Sequence, residues 1–304
     1  MTEEQQRRSF MLSQLRASGL GPYSPAVIRD LRIYGGAAGI WVDRATTSVT
    51  TDDPIGAAVS VNHTGEHYPD DLSDTGLIYH YPVTRRPGLT DSNEIDATKR
   101  TRDLGLPLFV LLKNDDDDTK RDVRIGWVTD WDDVAREFLI IFAESAPLIV
   151  DRLRAEDPFV LKDEKNHQRK ASSFWARPNQ QRFRFDVLKA YQSQCVVCSV
   201  SRPDLLTAAH ICPKSDGGSD DWRNGLALCA THHTAFDRGL FGFDSGSLEV
   251  VMKVGVIKEQ IGISRGTEAF KANRPHVDAL RHHMSRFDLG SSSAVREDEN
   301  IATE

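Results

Sequence analysis

The chain has few cysteines, no long apolar segment and no excess of positive charge. Four cysteines among 304 residues, three of which suit one metal site, argue against a disulfide framework. No apolar run reaches about 18 residues, which excludes a transmembrane helix. The N-terminal segment is polar and charged, unlike a secretory signal, so a cytoplasmic location is expected. A net charge of −7 is not typical of nucleic-acid-binding domains, which are usually basic.

The length suggests two domains, and the first is expected over residues 1–150. A polar helix is predicted over 3–16, and Ser24-Pro25 is typical of the start of a short second helix. A third helix is predicted over 92–104, with Ser92 or Asn93 as its N-cap. Short β-rich segments separated by turn residues predict six strands, at 39–42, 57–61, 77–81, 106–112, 124–128 and 138–142. These patterns indicate an α+β fold with a barrel-like mixed sheet.

A polar linker is expected over 151–178, a second domain over 179–288 and a disordered tail over 289–304. The second domain should contain helices at 180–191 and 277–287 and a strand at 250–257. From Lys162 to Lys189 there are eight Lys and Arg against three acids. This stretch is interpreted as a phosphate-binding strip, with a solvated linker as the alternative. Its candidate contacts to a nucleic-acid backbone are Lys162, Lys165, Arg169, Lys170, Arg177, Arg182 and Arg184.

Two short motifs predict a tetrahedral metal site. Cys195-x-x-Cys198 and Cys229-x-x-His232 lie 34 residues apart, and each can hold one metal ion from a tight turn or a helix start. Three thiolates and an imidazole suit structural Zn²⁺, which would compensate for a small core. Buried thiols without a metal are the alternative. Cys212 falls outside this set and is interpreted as a small buried residue.

A second group of polar residues occupies the same segment. His210 should end a strand, and Asn224 should precede the next one. His233 should point about 100° away from His232 around a helix, and Asp237, four residues on, should share the face of His233. The two helical side chains can thus meet the strand histidine across a shallow cleft.

The segment resembles the HNH (ββα-metal) nuclease family. The resemblance rests on AAHI at 208–211, GGS at 217–219, NGLALC at 224–229 and HHTAFDRGLF at 232–241, and covers roughly 180–245. It implies that His210 is the general base, that Asn224 orients the histidine or its loop, and that His233 and Asp237 bind a catalytic divalent ion. Mg²⁺, Mn²⁺ or Ni²⁺ would suit that pair. Many family members carry a metal ligand where this chain has Ala209.

The first domain looks like the SRA domain, a PUA-like barrel that flips 5-methylcytosine. The resemblance covers about 35–145 and rests on a small-residue strand, Tyr-x-Asp-Asp, a glycine and a tyrosine-containing strand. It implies that Asp71 contacts the cytosine amine and that Tyr68 and Tyr81 sandwich the ring. Pro82 stands where the family often has a small hydroxyl residue. Ordinary barrel and surface tyrosines are the alternative, and Trp41 suits either the core or a pocket wall.

Together the resemblances imply a modification-dependent restriction endonuclease acting on double-stranded DNA, with 5-methylcytosine or 5-hydroxymethylcytosine as the mark. A nuclease that reads unmodified sequence or another mark, and a DNA reader with an inactive HNH fold, remain alternatives. Cutting both strands needs two active sites or two visits, so a homodimer is a further hypothesis.

Overall fold

The computed structural model describes residues 1–36, 39–64, 72–84, 86, 88–147, 157–162 and 180–287. The chain divides into two compact units. Unit 1 comprises Met1–Arg152 and Ser173–Phe185, and unit 2 comprises Leu153–Ser172 and Asp186–Glu304. The predicted tail, the predicted Tyr68 and Asp71, and most of the predicted linker lie outside the described residues.

Unit 1 contains a six-stranded mixed sheet, curled into a half-barrel. Its strands are β1 (Gly39–Trp41), β2 (Ser60–His63), β3 (Gly76–His80), β4 (Leu108–Lys113), β5 (Arg121–Asp132) and β6 (Glu137–Phe142). They run in the order β1-β2-β4-β5-β6-β3. Only the β2–β4 pairing is parallel among these neighbours, and β5 carries a bulge against β6 between Val128 and Asp130. The predicted α+β class is therefore confirmed, and each predicted strand of unit 1 has an observed counterpart.

Both faces of the sheet are covered. The helices described in unit 1 are α1 (Glu3–Ala17), α2 (Pro25–Asp30), α3 (Arg44–Thr50) and α4 (Thr90–Asp103). Along β4, Leu108, Val110 and Leu112 join a core that also holds Ala97 of α4, as the period-2 alternation of a strand requires. Phe109 and Leu111 point into a second core with residues of α1 and α2. Burial on both faces explains why β4 is a continuous apolar run.

Helix α3 was not predicted from the sequence. Its residues, RATTSVT, are rich in β-branched side chains, which disfavour helices. Here Thr47 and Thr51 donate hydrogen bonds to carbonyls four residues earlier, and Thr50 donates to Glu4 Oε2 of α1, 2.8 Å away. Asp43 precedes the helix, but its carboxylate accepts a hydrogen bond from Arg32 instead of capping the helix. Tertiary contacts therefore override the local preference.

Several other boundaries differ from the predictions; the strand predicted at 124–128, for example, spans Arg121–Asp132. Helix α4 begins at Thr90, so neither Ser92 nor Asn93 is its N-cap; Leu89 precedes the helix without a side-chain cap. The strand predicted at 57–61 is observed at Ser60–His63. The amide of Ala58 bonds to the carbonyl of Ala97 in α4, so this residue leaves the sheet ladder and packs against the helix.

Unit 2 places a small hairpin against a helix. Its elements are β7 (Leu206–His210), β8 (Gly225–Cys229), α6 (Ala230–Asp237), β9 (Phe241–Phe243), β10 (Val250–Met252) and α7 (Val277–Arg286). Helix α5 (Gln180–Ala190) begins in unit 1 and ends in unit 2, and it buries Phe183, Val187 and Leu188 as predicted. β7 pairs antiparallel with β8, and β9 pairs antiparallel with β10.

Within the described ranges, none of the helices combines the length and apolar character needed to cross a membrane.

Phe138 should be a principal support of unit 1. It is fully buried, and its ring lies 4.5 Å from that of Tyr81. We expect Phe138→Ala to lower the free energy of unfolding of unit 1 by about 3–5 kcal/mol, because it removes apolar burial and leaves a cavity. Guanidinium denaturation followed by tryptophan fluorescence measures this. Val134→Ala is the control, since Val134 is exposed; equal effects of the two variants would contradict the assignment.

Candidate metal sites and active-site cleft

Four buried side chains converge on one point in unit 2. Cys195 and Cys198 lie in the turn after α5, Cys229 ends β8, and His232 lies in the first turn of α6. Their ligand atoms all lie within 4.8 Å of one another. A tetrahedron of metal–sulfur bonds has edges of roughly 3.8 Å. The Cys198–Cys229 Sγ distance of 4.0 Å and the Cys195 Sγ–His232 Nδ1 distance of 3.7 Å suit such a site. The predicted tetrad is therefore assembled.

A neighbouring backbone segment orients the tetrad. His232 Nε2 lies 2.9 Å from the carbonyl oxygen of Ile261, so this nitrogen carries the proton and Nδ1 faces the thiols. Arg265 donates a hydrogen bond to the carbonyl of Cys195. Metal-binding histidines commonly donate their second N–H in this way. Burial raises the pKa of the Cys198 thiol to about 12, so the thiolate form requires a cation, and a divalent ion would supply the compensating charge.

His210 lies at the end of β7, opposite Gly225 of β8, whereas Leu206 at the start of β7 pairs with Cys229 of the tetrad. Its Nε2 is 3.1 Å from Asp220 Oδ1. Burial lowers the pKa of His210 below its usual value, although Asp220 acts in the opposite direction. The imidazole is therefore neutral near pH 7 and retains a lone pair that can accept a proton.

Asn224 is fully buried and joins the two ends of the loop that connects β7 to β8. Its Oδ1 accepts a hydrogen bond from the amide of Cys212, and its Nδ2 donates to the carbonyls of Cys212 and Ser219. The amide of Ile211 in turn donates to the carbonyl of Asn224. Asn224 thus contacts the loop beside His210, which makes it suited to a positioning role.

On helix α6, His233 and Asp237 face away from the tetrad. His232 is buried, whereas the His233 side chain is 31% exposed and that of Asp237 60% exposed. Thr207 Oγ1 donates to the carbonyl of Leu228, so it accepts the proton of His233 Nδ1, 2.8 Å away. The lone pair of His233 is then on Nε2, which lies 3.4 Å from Asp237 Oδ2. His233 Nε2 and Asp237 Oδ2 can therefore act as two ligand atoms for one cation.

Ala209 is fully buried and pairs with Leu226 of β8. Among the described residues, the only cluster of three or more His, Cys, Asp or Glu suited to a metal is the tetrad. A cation at His233 and Asp237 would therefore depend on water and substrate oxygens for its remaining ligands, as Mg²⁺ tolerates.

Several residues around His210 were not identified from the sequence. Lys214 Nζ lies 2.7 Å from Asp220 Oδ1, and Arg286 of α7 lies 3.2 Å from Asp216 Oδ2. His282 approaches the same oxygen of Asp216 at 3.4 Å. The terminal helix therefore holds the loop that carries Lys214. No sequence signal beyond the GGSDD turn points to these contacts. Cys212 is buried and lies outside the tetrad, as predicted.

The predicted base pocket is described only at Tyr81. Tyr81 follows β3, is 6% exposed, and donates its hydroxyl proton to Asp133 Oδ1 at 2.9 Å. Tyr79, two residues earlier in β3, packs against the same core. Trp41 packs against the other core, beside Tyr34.

The predicted basic strip is also described only in part. Lys165, Arg169, Lys170 and Arg177 lie outside the described residues. Arg182 bonds to the hydroxyl of Thr129, and Arg184 lies 3.8 Å from Glu137 Oε2, so both make contacts within unit 1. The backbone of Lys162 forms an isolated antiparallel β-bridge with Gly218, in the loop between β7 and β8.

Residues 195–244 match the model of a family described as HNH endonuclease. This range contains the tetrad, His210, Asn224, His233 and Asp237. No curated protein matches the chain.

Two solved structures resemble the chain weakly. One is described as "Modification dependent TagI restriction endonuclease"; it is 19% identical, with a TM-score of 0.36, over 89% of this chain and 93% of that one. The other is the "Type IV phosphorothioation-dependent restriction endonuclease ScoMcrA"; it is 17% identical, with a TM-score of 0.28, over 85% of this chain and 54% of that one.

The tetrad predicts a defined metal content. We expect Cys198→Ser to lose the tightly bound divalent ion, because it removes one of four ligand atoms. The same variant should lower the thermal stability of unit 2. Elemental analysis of the purified protein and thermal denaturation measure the two effects. Cys212→Ala is the matched control, since Cys212 is equally buried but outside the tetrad. Unchanged metal content in Cys198→Ser would contradict the assignment.

Proposed function

We propose that this protein, a metal-dependent DNA endonuclease of the HNH type, is a restriction enzyme that cuts cytosine-modified DNA. The observation that carries the nuclease chemistry is that the segment matched by the HNH family model holds His210 at the end of β7 together with the exposed His233–Asp237 pair of α6. The reading of a modified base is proposed for residues 1–150 from their resemblance to SRA domains.

In the proposed reaction, His210 takes a proton from a water molecule. The water oxygen then forms a bond to phosphorus, the bond from phosphorus to the leaving sugar oxygen breaks, and that oxygen takes a proton from solvent. His233 and Asp237 would hold the divalent ion, which, when bound, stabilises the charge that develops on the phosphate. Asn224 keeps the loop beside His210 in place through its three hydrogen bonds.

The Cys₃His tetrad is proposed to hold structural Zn²⁺. All four ligands are buried, so the site offers no open position to a substrate, unlike a catalytic zinc site. Its role would be to fix the start of α6, from which His233 projects.

For base recognition, we propose that Asp71 accepts a hydrogen bond from the cytosine amine and that Tyr68 and Tyr81 stack on the flipped ring. Lys99 and Arg136 lie 5.7 and 5.6 Å from the centre of the Tyr81 ring, and Asp133 holds its hydroxyl. Because Tyr81 is 6% exposed, stacking on it requires displacement of a neighbour. The mutational test therefore centres on Asp71.

Contacts to the DNA backbone are proposed for Lys162, Lys165, Arg169, Lys170 and Arg177. Arg182 and Arg184 would first have to leave Thr129 and Glu137, so they are weaker candidates. Salt cations compete with lysine and arginine for the phosphates, so the affinity for DNA should fall steeply as the ionic strength rises.

Digestion of matched plasmids tests the proposed substrate. Unmodified, 5-methylcytosine, 5-hydroxymethylcytosine and phosphorothioate plasmids are each incubated with protein and Mg²⁺, Mn²⁺ or Ni²⁺. We expect cleavage of the cytosine-modified DNA about 5- to 150-fold faster than of unmodified DNA, because one recognition contact is worth about 1–3 kcal/mol. His210→Ala should bind DNA without cutting it.

Adjacent aspartates provide the matched control. Asp71→Ala should lose the preference for modified DNA, whereas Asp70→Ala should keep it. Equal cleavage of all plasmids by the unaltered protein would overturn the base-reading proposal and favour a nuclease that reads unmodified sequence. Selective cleavage of phosphorothioate DNA would indicate another mark.

A homodimer is proposed because cutting both strands requires either two active sites or two successive cleavage events by a single active site. Light scattering after size-exclusion chromatography should give a complex with modified DNA whose mass is that of the DNA plus twice the protein monomer. A monomer mass both with and without DNA would contradict the dimer.

A further inference from the structure

We infer that Asp220 is a positioning residue that fixes the tautomer of His210, with the proton on Nε2 and the lone pair on Nδ1. This rests on the proposed function, in which His210 is the general base. Asp220 was not among the residues that the sequence motifs singled out.

The contact itself defines the tautomer. His210 Nε2 lies 3.1 Å from Asp220 Oδ1, and an ionised carboxylate can only accept a hydrogen bond. Nε2 must therefore carry the proton, and in a neutral ring the lone pair is on Nδ1. The Asp220 side chain is 18% exposed, so solvent screens the contact only in part.

Lys214 holds Asp220 in the ionised state. Its Nζ lies 2.7 Å from the same oxygen, Oδ1, that faces His210. Burial alone would raise the pKa of Asp220, but the hydrogen bonds from His210 and Lys214 together keep that pKa below its usual value. The three residues form a chain from Lys214 through Asp220 to His210.

The loop backbone determines where Asp220 lies. Gly217 has a φ of +83°, a left-handed conformation that favours glycine. A Cβ on Gly218 would lie 1.8 Å from the carbonyl oxygen of Cys212, so only glycine allows this approach. Asn224 bonds to the carbonyl of Ser219, the residue before Asp220. The GGS turn and Asn224 thus deliver the carboxylate to His210.

The arrangement separates the roles of two carboxylates. Asp237 lies beside the metal-facing nitrogen of His233, whereas Asp220 lies beside the base. Loss of Asp220 should therefore impair proton transfer more than binding of DNA or of the ion. Loss of Asp237 should change the dependence on metal concentration instead.

The direct test is ¹⁵N NMR of histidine-labelled full-length protein, with the His210 signals identified by comparison with His210→Ala. In the unaltered protein, Nε2 should carry the proton. In Asp220→Ala, the population with the proton on Nδ1 should rise. An unchanged tautomer in a folded Asp220→Ala protein would overturn the inference. This measurement needs no nuclease activity, so it remains decisive if the proposed function fails.

Kinetics supply the second test. We expect Asp220→Ala to lower kcat by about 10- to 100-fold, in the range typical of general acid–base effects, with KM for DNA nearly unchanged. The double variant Asp220→Ala/His210→Ala should be no slower than His210→Ala, because Asp220 acts through His210. A further loss in the double variant would show that Asp220 acts by another route and would contradict the inference.

Asp244→Asn is the control. Asp244 bonds to the amides of Gly246 and Ser247 in the β9–β10 turn. This variant should retain both the His210 tautomer and the cleavage rate. Lys214→Met should lower kcat less than Asp220→Ala, since it leaves the carboxylate beside His210 in place. If His210→Ala cuts as fast as the unaltered protein, the proposed function fails, while the NMR result still stands.

Discussion

The Cys₃His tetrad is the constraint on which the arrangement of unit 2 depends. It joins the turn after α5 to the junction of β8 and α6 through four buried side chains. Because His232 is held by the tetrad and by the carbonyl of Ile261, the rotation of α6 is determined. The next residue, His233, is consequently directed to the other side of the helix, toward Thr207 and Asp237. One small cluster thus sets the direction of the His233 side chain.

The loop between β7 and β8 contains Lys214 and Asp220, the charged residues nearest to the His210 contact. It contains no long regular element, so its shape depends on specific polar contacts. The buried side chain of Asn224 donates a hydrogen bond to the carbonyl of Ser219 in this loop, and Arg286 of α7 forms an ion pair with Asp216 of the loop. Asp220 is thereby brought to His210, and Lys214 to Asp220. Loops positioned by a rigid scaffold commonly carry function, and this one concentrates the charged side chains around one imidazole.

Local sequence signals predicted some elements well and others poorly. Ser24-Pro25 begins α2, with the Ser24 hydroxyl accepting a hydrogen bond from the amide of Val27, because capping depends on neighbours in the chain. Helix α3 was missed because its threonines favour strands locally. In α1, Arg8 is fully buried with its Nε 2.7 Å from Glu4 Oε1, a contact that a polar pattern does not reveal.

By itself, the sequence determined the metal tetrad, the strand end at His210 and the shared helical face of His233 and Asp237. Each follows from short spacings, and the period of a helix or strand converts a spacing into a direction. Only the tertiary structure decided that Asp220 contacts both His210 and Lys214, that Asn224 bonds to the loop and not to the histidine side chain, and that Tyr81 is buried. These contacts join elements distant along the chain or depend on how a loop closes, and local periodicity carries no information about either.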